Sequence, residues 1–314
     1  MITEQQKELI DKINKLKKEK NAVILVHNYQ RPEIYEIADF MGDSLALSKE
    51  AADTEADIIL FCGVDFMAET AKILSPDKKV LLSVMNATCP MAAMADVEDV
   101  IEAKQKNPDA LIVSYVNTSA SVKAVSDICC TSANAIKIVE SLPENKEIIF
   151  VPDKNLGVYA KKETGRNIII WPGFCHVHHH ITESLVLKAK QEHPNAKIIA
   201  HPECRPEVLQ HADEICSTAG MFTYPKKEEF EKQNINEFIV LTEAGMINAL
   251  KRDMPDKQFY TIISENQANV CPNMKKTTLE NVYDTLLTER NEINLPEDIM
   301  NNARKALNNM LGVK

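Results

Sequence analysis

Hydrophobic positions along this chain follow two rhythms. Short unbroken apolar runs such as AVILV (22–26), IILFC (58–62), LIV (111–113), IIF (148–150) and FIVL (238–241) read as strands buried on both faces. Between them lie stretches such as VEDVIEAKQKN (97–107) and ESLVLKAKQEH (183–193), whose apolar residues recur at helical spacing against a charged face. The first twenty residues, MITEQQKELIDKINKLKKEK, have the same amphipathic helical pattern. Strands alternating with helices predict parallel sheets covered on both sides.

The pattern repeats. KNAVILVHNYQ (20–30), PDALIVSYVNT (108–118) and PNAKIIAHPEC (194–204) each carry an Ala, a β-branched run and a polar triplet. Aligning Ala22, Ala110 and Ala196 brings His27, Tyr115 and His201 into register at intervals of 88 and 86. DFMGDS (39–44), DICCTS (127–132) and DEICST (213–218) then run from Asp to a hydroxyl, so that Ser44, Ser132 and Thr218 each follow the strand-end residue by 17. Cys89 precedes Tyr115 by 26, and Cys175 precedes His201 by 26.

Each copy reads as a strand, then a short helix opened by Pro or a hydroxyl (RPEIYEIADF, TSASVKAVSD, RPEVLQHADE), then a short strand, a helix and a third strand (ADIILFCG, NKEIIFVPD, INEFIVLTE). A last helix and strand lead to a cysteine (VLLSVMNATC, NIIIWPGFC, FYTIISENQANVC). The expected fold class is α/β: three pseudo-symmetric three-layer α/β/α lobes, each with a short parallel sheet, around one central site. Their bounds are 1–88, 89–174 and 175–275, with a C-terminal helix in 276–314 packed back on the first lobe.

Ligands of open parallel sheets bind beyond the carboxyl ends of the strands. The triplets HNY (27–29), YVN (115–117) and HPE (201–203) occupy such ends, and Ser44, Ser132 and Thr218 are expected at helix N-caps, where hydroxyls and free N–H groups receive anions. Pseudo-threefold symmetry aims all of them at one axis. Cys89, Cys175 and Cys271 close the three copies and bring one sulfur each. Three thiolates suit an iron–sulfur cluster with one iron left open as a Lewis acid, or zinc with a water as fourth ligand, and spacing leaves both readings open.

Composition narrows the partners. With 36 Lys+Arg against 46 Asp+Glu the net charge is −10, the wrong sign for a surface that neutralises phosphate backbones, so no nucleic-acid partner is expected. No run approaches the roughly 18–20 apolar residues of a membrane helix, and the charged N-terminus has no apolar signal region; the expectation is a cytoplasmic chain. Its eight cysteines form no CxxC pair. In a reducing compartment Cys62, Cys129, Cys130, Cys204 and Cys216 read as small buried hydrophobes. Of the run HVHHH, His178 is expected in the site and His176, His179 and His180 at the surface.

HNYQ, GDS, YVN, CTSAN, GFCHVH, HPEC, STAG and CPNMK occur in that order, and with them the chain resembles the quinolinate synthase family from about residue 20 onward. The resemblance implies a 4Fe-4S cluster held by Cys89, Cys175 and Cys271, its fourth iron open to substrate or water. It implies condensation of iminoaspartate with dihydroxyacetone phosphate to quinolinate, releasing phosphate and water. It further implies substrate contacts from His27, Ser44, Tyr115, Val116, Asn117, Ser132, His178, His201, Pro202, Glu203 and Thr218. Catalytic roles fall to Glu203, Tyr29, His201 and Tyr115, with Tyr29 and Glu203 as the acid–base groups. An aspartate oxidase or dehydrogenase would supply the iminoaspartate. Some family members carry CxxCxxC around the third ligand; here Cys271 is followed by Pro-Asn-Met-Lys-Lys, so a redox-sensitive disulfide there is not expected. The competing readings are another 4Fe-4S hydro-lyase and a three-lobed small-anion binder with structural zinc.

Overall fold

The computed structural model describes residues 2–262 and 269–313. Among the described residues, twelve strands form three four-stranded parallel sheets. The first holds β1 (Ala22–His27), β2 (Phe40–Gly42), β3 (Ile58–Cys62) and β4 (Lys79–Leu82). The second holds β5 (Leu111–Tyr115), β6 (Ile128–Cys130), β7 (Ile148–Val151) and β8 (Ile168–Ile170). The third holds β9 (Lys197–Ala200), β10 (Glu214–Ile215), β11 (Glu237–Leu241) and β12 (Gln258–Thr261). The third copy's run toward Cys271 continues into residues 263–268, which lie outside the described residues.

All three sheets have one strand order, second–first–third–fourth. The chain leaves the first strand toward one edge and the third toward the other, so a crevice opens between their carboxyl ends, at the topological switch point. Register repeats as well. Leu25 faces Phe40, Val113 faces Ile128 and Ile199 faces Glu214, one offset of 15 residues in all three sheets. β3 and β7 are buried at every position, as strands with helices on both faces must be.

The Asp of each Asp-to-hydroxyl segment has a structural role. Asp39, Asp127 and Asp213 each accept, through Oδ2, the N–H of Ile24, Ile112 and Ile198, all at 2.8 Å. Their own N–H groups donate back to the carbonyls of the same three isoleucines at 2.8–3.0 Å. This two-way clasp fixes edge strands of only two or three residues (β2, β6 and β10), which have few ladder bonds of their own.

The C-terminal segment is two helices where one was expected; the first packs on the first lobe, and the second packs on the first and second lobes together. Leu279–Thr288, capped by Thr278, lies against the N-terminal helix Glu4–Glu19 and the β3–β4 side of the first sheet. Pro296 then redirects the chain, and Glu297–Gly312 packs on the short helix Ala120–Ala124 and β6 of the second lobe, and on Asp65–Leu74 of the first. Asn309 Nδ2 donates to the Asp127 carbonyl at 2.9 Å and Arg304 Nε to that of Ile73 at 2.7 Å, tying one helix to both lobes. The apolar face that makes this possible (Ala303, Ala306, Leu307 and Met310) is fully buried. Among the described residues no helix is long and apolar enough to cross a membrane.

Candidate active site

The three switch-point crevices open into one cavity. His27, Tyr115 and His201 enter it from the ends of the first strands, and all three side chains are buried. Ser44, Ser132, Thr218, Tyr29, Asn117, His178 and Glu203 line it with them, as do Cys89, Cys175 and Cys271. Two expected contacts are placed elsewhere. Val116 packs into the apolar core with its N–H bonded to the Cys130 carbonyl at 2.9 Å, and Pro202 is buried behind the lining. His176, expected at the surface, is half-buried and lines the cavity; His179 packs on the Phe174 ring and His180 is exposed.

The hydroxyls sit one position away from the expected N-caps. Asp43 caps the helix Ser44–Asp53, accepting from Ala46 N at 2.9 Å, and Ser217 caps Thr218–Thr223. Ser44 and Thr218 are therefore first helical residues, and Ser132 lies in the turn that Thr131 and Asn134 close with a 2.6 Å bond. Because neighbours do the capping, these hydroxyls are not committed to it and remain on the cavity wall. Among the described residues Asn117 Oδ1 is buried without a partner. An orphaned acceptor beside a cavity costs free energy until a donor arrives, which marks that wall for a polar ligand.

A hydrogen-bonded chain runs across the cavity floor. Glu203 Oε1 accepts from the Tyr115 hydroxyl at 2.6 Å, and Oε2 lies 3.0 Å from His178 Nδ1. An ionised carboxylate only accepts, so Nδ1 carries the proton and Nε2 accepts from Thr242 Oγ1 at 2.8 Å. Thr242 in turn accepts from the Tyr29 hydroxyl at 2.7 Å. Tyr29 and Glu203 are thus joined through Thr242 and His178. Burial alone would raise the Glu203 pKa, but the facing rings of His178 and His201 and the bonds from His178 and Tyr115 outweigh it and hold the carboxylate ionised. Burial raises Tyr29 and Tyr115 well above the ordinary phenol range, so both keep their protons.

His27 and His201 are built alike. Each Nδ1 accepts the backbone N–H two residues on, from Tyr29 at 3.2 Å and Glu203 at 3.3 Å, which leaves Nε2–H as the donor on the far side of the ring. Burial, aided by the Lys275 charge and opposed by Glu203, brings His27 down to about 3. Burial and then His178, again opposed by Glu203, bring His201 to about 3. Both rings are neutral donors at pH 7. His201 also stacks on His178 at 4.4 Å.

All eight cysteines are free thiols, and four of the five expected as plain core residues are buried; Cys216 is half-buried. Cys89, Cys175 and Cys271 differ from these because they line the cavity together. Burial pushes the Cys89 thiol up to about 12 and raises Cys175 and Cys271 as well. Such thiols stay protonated until a metal replaces the proton. Three unpaired sulfurs from three lobes, on the wall of one cavity, fit a soft metal centre with three protein ligands. Cys175, His178 and Glu203 also present one ligand atom each within 4.8 Å of one another, so the sulfur wall adjoins the carboxylate network directly.

Sequence reasoning missed Thr242, Glu243, Asp65 and Asp153. Thr242 links Tyr29 to His178, and Glu243 lines the cavity. Asp65, Asp153 and Glu243 fall 88 and 90 residues apart, just beyond β3, β7 and β11. The strand-end argument applied to the first strand of each sheet finds them when it is applied to the third.

A family model described as quinolinate synthetase A protein matches residues 11–312. The chain is 50% identical over 310 residues to the quinolinate synthase of Methanosarcina barkeri, covering 99% of both chains. It is 50% identical over 301 residues to that of Geobacter metallireducens, covering 96% of each. With that of Caldicellulosiruptor saccharolyticus it shares 51% over 300 residues, 95% of this chain and 96% of the relative. Matches of this depth over nearly the whole length, on three repeated lobes around one cavity, make the chain a member of the quinolinate synthetase A protein family.

Proposed function

We propose that this chain condenses iminoaspartate with dihydroxyacetone phosphate to quinolinate, releasing one phosphate and two waters. The observation that carries the reading is the joining of an ionised carboxylate, two neutral histidine donors and three thiols around one cavity. A 4Fe-4S cluster on Cys89, Cys175 and Cys271 would supply a Lewis-acidic iron with an open position.

The chain's own groups account for binding and proton movement. Ser44, Ser132 and Thr218 offer hydroxyls, and His27 and His201 offer Nε2–H, to a substrate pair rich in carboxylate and phosphate oxygens. Neutral rings suit this, since they donate without holding the anionic product by charge. Carbon–carbon joining uses the enamine carbon of iminoaspartate against the phosphate-bearing carbon. The remaining hydroxyketone must then become a hydroxyaldehyde, which moves a proton between neighbouring carbons. Glu203, ionised and oriented by Tyr115 and His178, is the base for that step. Tyr29 keeps its proton and connects to Glu203 through Thr242 and His178, so it is the acid that can donate to a leaving hydroxyl. Attack of nitrogen on the aldehyde and loss of water then close the aromatic ring. In this reading the protein works in the cytoplasm and draws iminoaspartate from an aspartate-oxidising enzyme.

Anaerobic purification of the wild type and of Cys89→Ala, Cys175→Ala and Cys271→Ala tests it. About four irons and four sulfides, lost in each variant, together with quinolinate formation from the two substrates, is the expected result. Zinc, or no metal, in folded anaerobic wild type would refute the cluster. A bound cluster without turnover would favour a different hydro-lyase.

A further inference from the structure

The three cysteines are held by one repeated arrangement. Each opens a single helical turn: its carbonyl accepts the N–H four residues on, from Ala93 at 3.3 Å, His179 at 2.9 Å and Lys275 at 3.3 Å. Each cysteine therefore stands where its turn begins, as an N-cap residue does. The cysteine's own N–H has no partner within such a turn and must find one outside it.

In all three lobes that partner is a carboxylate from beyond the third strand. Cys89 N donates to Asp65 Oδ1 at 3.2 Å, Cys175 N to Asp153 Oδ2 at 2.9 Å, and Cys271 N to Glu243 Oε1 at 3.1 Å. Each carboxylate is itself anchored where its own chain turns away from the strand. Asp65 accepts from Phe66 N at 2.9 Å, Asp153 from Leu156 N at 2.7 Å, and Glu243 from Gly245 N at 2.7 Å. Glu243 also pairs with Lys275 Nζ at 3.0 Å. The backbone on either side of every sulfur is thereby fixed to the sheet that carries it.

We propose that Asp65, Asp153 and Glu243 are positioning residues, a collar of three carboxylates that aims the sulfurs of Cys89, Cys175 and Cys271 at a common metal centre. The inference rests on the reading that these sulfurs hold a 4Fe-4S cluster. Without its carboxylate a cysteine N–H is unpaired, its turn is free to rotate, and the sulfur no longer arrives pre-aimed. Outer partners that orient metal ligands are typically worth about 10- to 100-fold in metal affinity.

The test is iron release from the anaerobically loaded full-length chain to a ferrous chelator, followed with visible absorbance. Wild type is compared with Asp65→Ala and Glu243→Ala, with the length-changing Asp65→Glu and Glu243→Asp, and with Asp127→Ala. Asp127 makes the same kind of bond, to the strand N–H of Ile112 and not to a cysteine N–H. Release about 10- to 100-fold faster in the alanine variants is expected, with the length variants intermediate and Asp127→Ala at the wild-type rate. Wild-type release from folded alanine variants, or equally fast release from Asp127→Ala, would overturn the collar. If an alanine variant does not fold, the length variants decide, and wild-type release from them overturns it too. Wild type that takes up no iron and sulfide removes the cluster reading and the collar with it, a result distinct from loss confined to the variants.

Discussion

The second lobe and its two neighbours share a backbone and differ in chemistry. At the end of the first strand the outer lobes place His27 and His201, each fixed by the N–H two residues on; the second places Tyr115, which reaches across to Glu203 of the third. Strand order, register and the Asp clasp are the same in all three. The difference teaches that symmetry supplies positions, and single substitutions at those positions supply function. A symmetric set of three histidines would present three equivalent donors. Replacing one by a phenol leaves two donors and adds a clamp on the only carboxylate among the three strand-end triplets, so the site acquires a basic end.

The sharpest way to break this comparison is to remove what the asymmetry serves. Glu203→Gln keeps the shape and one of the two accepted hydrogen bonds but cannot accept a proton, and quinolinate formation should fall about 10²- to 10⁴-fold, with cluster content unchanged. A variant retaining more than a tenth of wild-type turnover would show that the base lies elsewhere. Tyr115→His makes the second lobe like its neighbours. Losing a hydrogen bond to a charged group, worth about 1.5–3 kcal/mol, should lower Tm, and turnover should fall by about 10- to 100-fold in steady-state assays. Full activity in that variant would make the phenol dispensable.

A third prediction uses pH. His27 and His201 have folded pKa values near 3, below the ordinary 6.5, so the stability each contributes is complete above about pH 6.5 and is lost as pH falls toward 3. Glu203, lowered to about 2, acts in the same direction below the usual carboxylate range. Thermal unfolding of the metal-free protein should therefore show Tm falling between pH 6.5 and 4, and His27→Gln and His201→Gln should each flatten the slope. Tyr115 stays neutral throughout that range, so Tyr115→Phe should change the slope only at its acid end, through Glu203. The smallest effect belongs to what the lobes share. Asp127→Ala should cost about 1 kcal/mol by denaturant titration, as should Asp39→Ala and Asp213→Ala, with turnover untouched.

Much of this was legible because the repeat confines it. Buried parallel strands are written as unbroken β-branched runs, so their carboxyl ends, and with them His27, Tyr115 and His201, can be read directly. The hydroxyls were placed in the right crevices but one residue from their true helical positions, because Asp43 and Ser217 compete for the same cap and sequence does not say which side chain turns back. Thr242 is an ordinary strand-end threonine until folding brings Tyr29 and His178 to either side of it. Asp65, Asp153 and Glu243 keep phase but mix two side-chain lengths after dissimilar residues, so spacing carries the signal and identity conceals it. The two C-terminal helices share one amphipathic pattern, and only packing shows that the second, after Pro296, bridges two lobes.

That second helix, Glu297–Gly312, also sets an order of events. It follows all three sheets along the chain, yet it joins the helix Asp65–Leu74 to Ala120–Ala124 across the boundary between the first two lobes. During synthesis those lobes leave the ribosome well before the strap that holds them together. The wall bearing Cys89 and the wall bearing Cys175 therefore reach their final spacing only after translation has passed all three cysteines. A metal centre held by all three cysteines, as proposed, would therefore be loaded onto the finished chain and not onto the growing one.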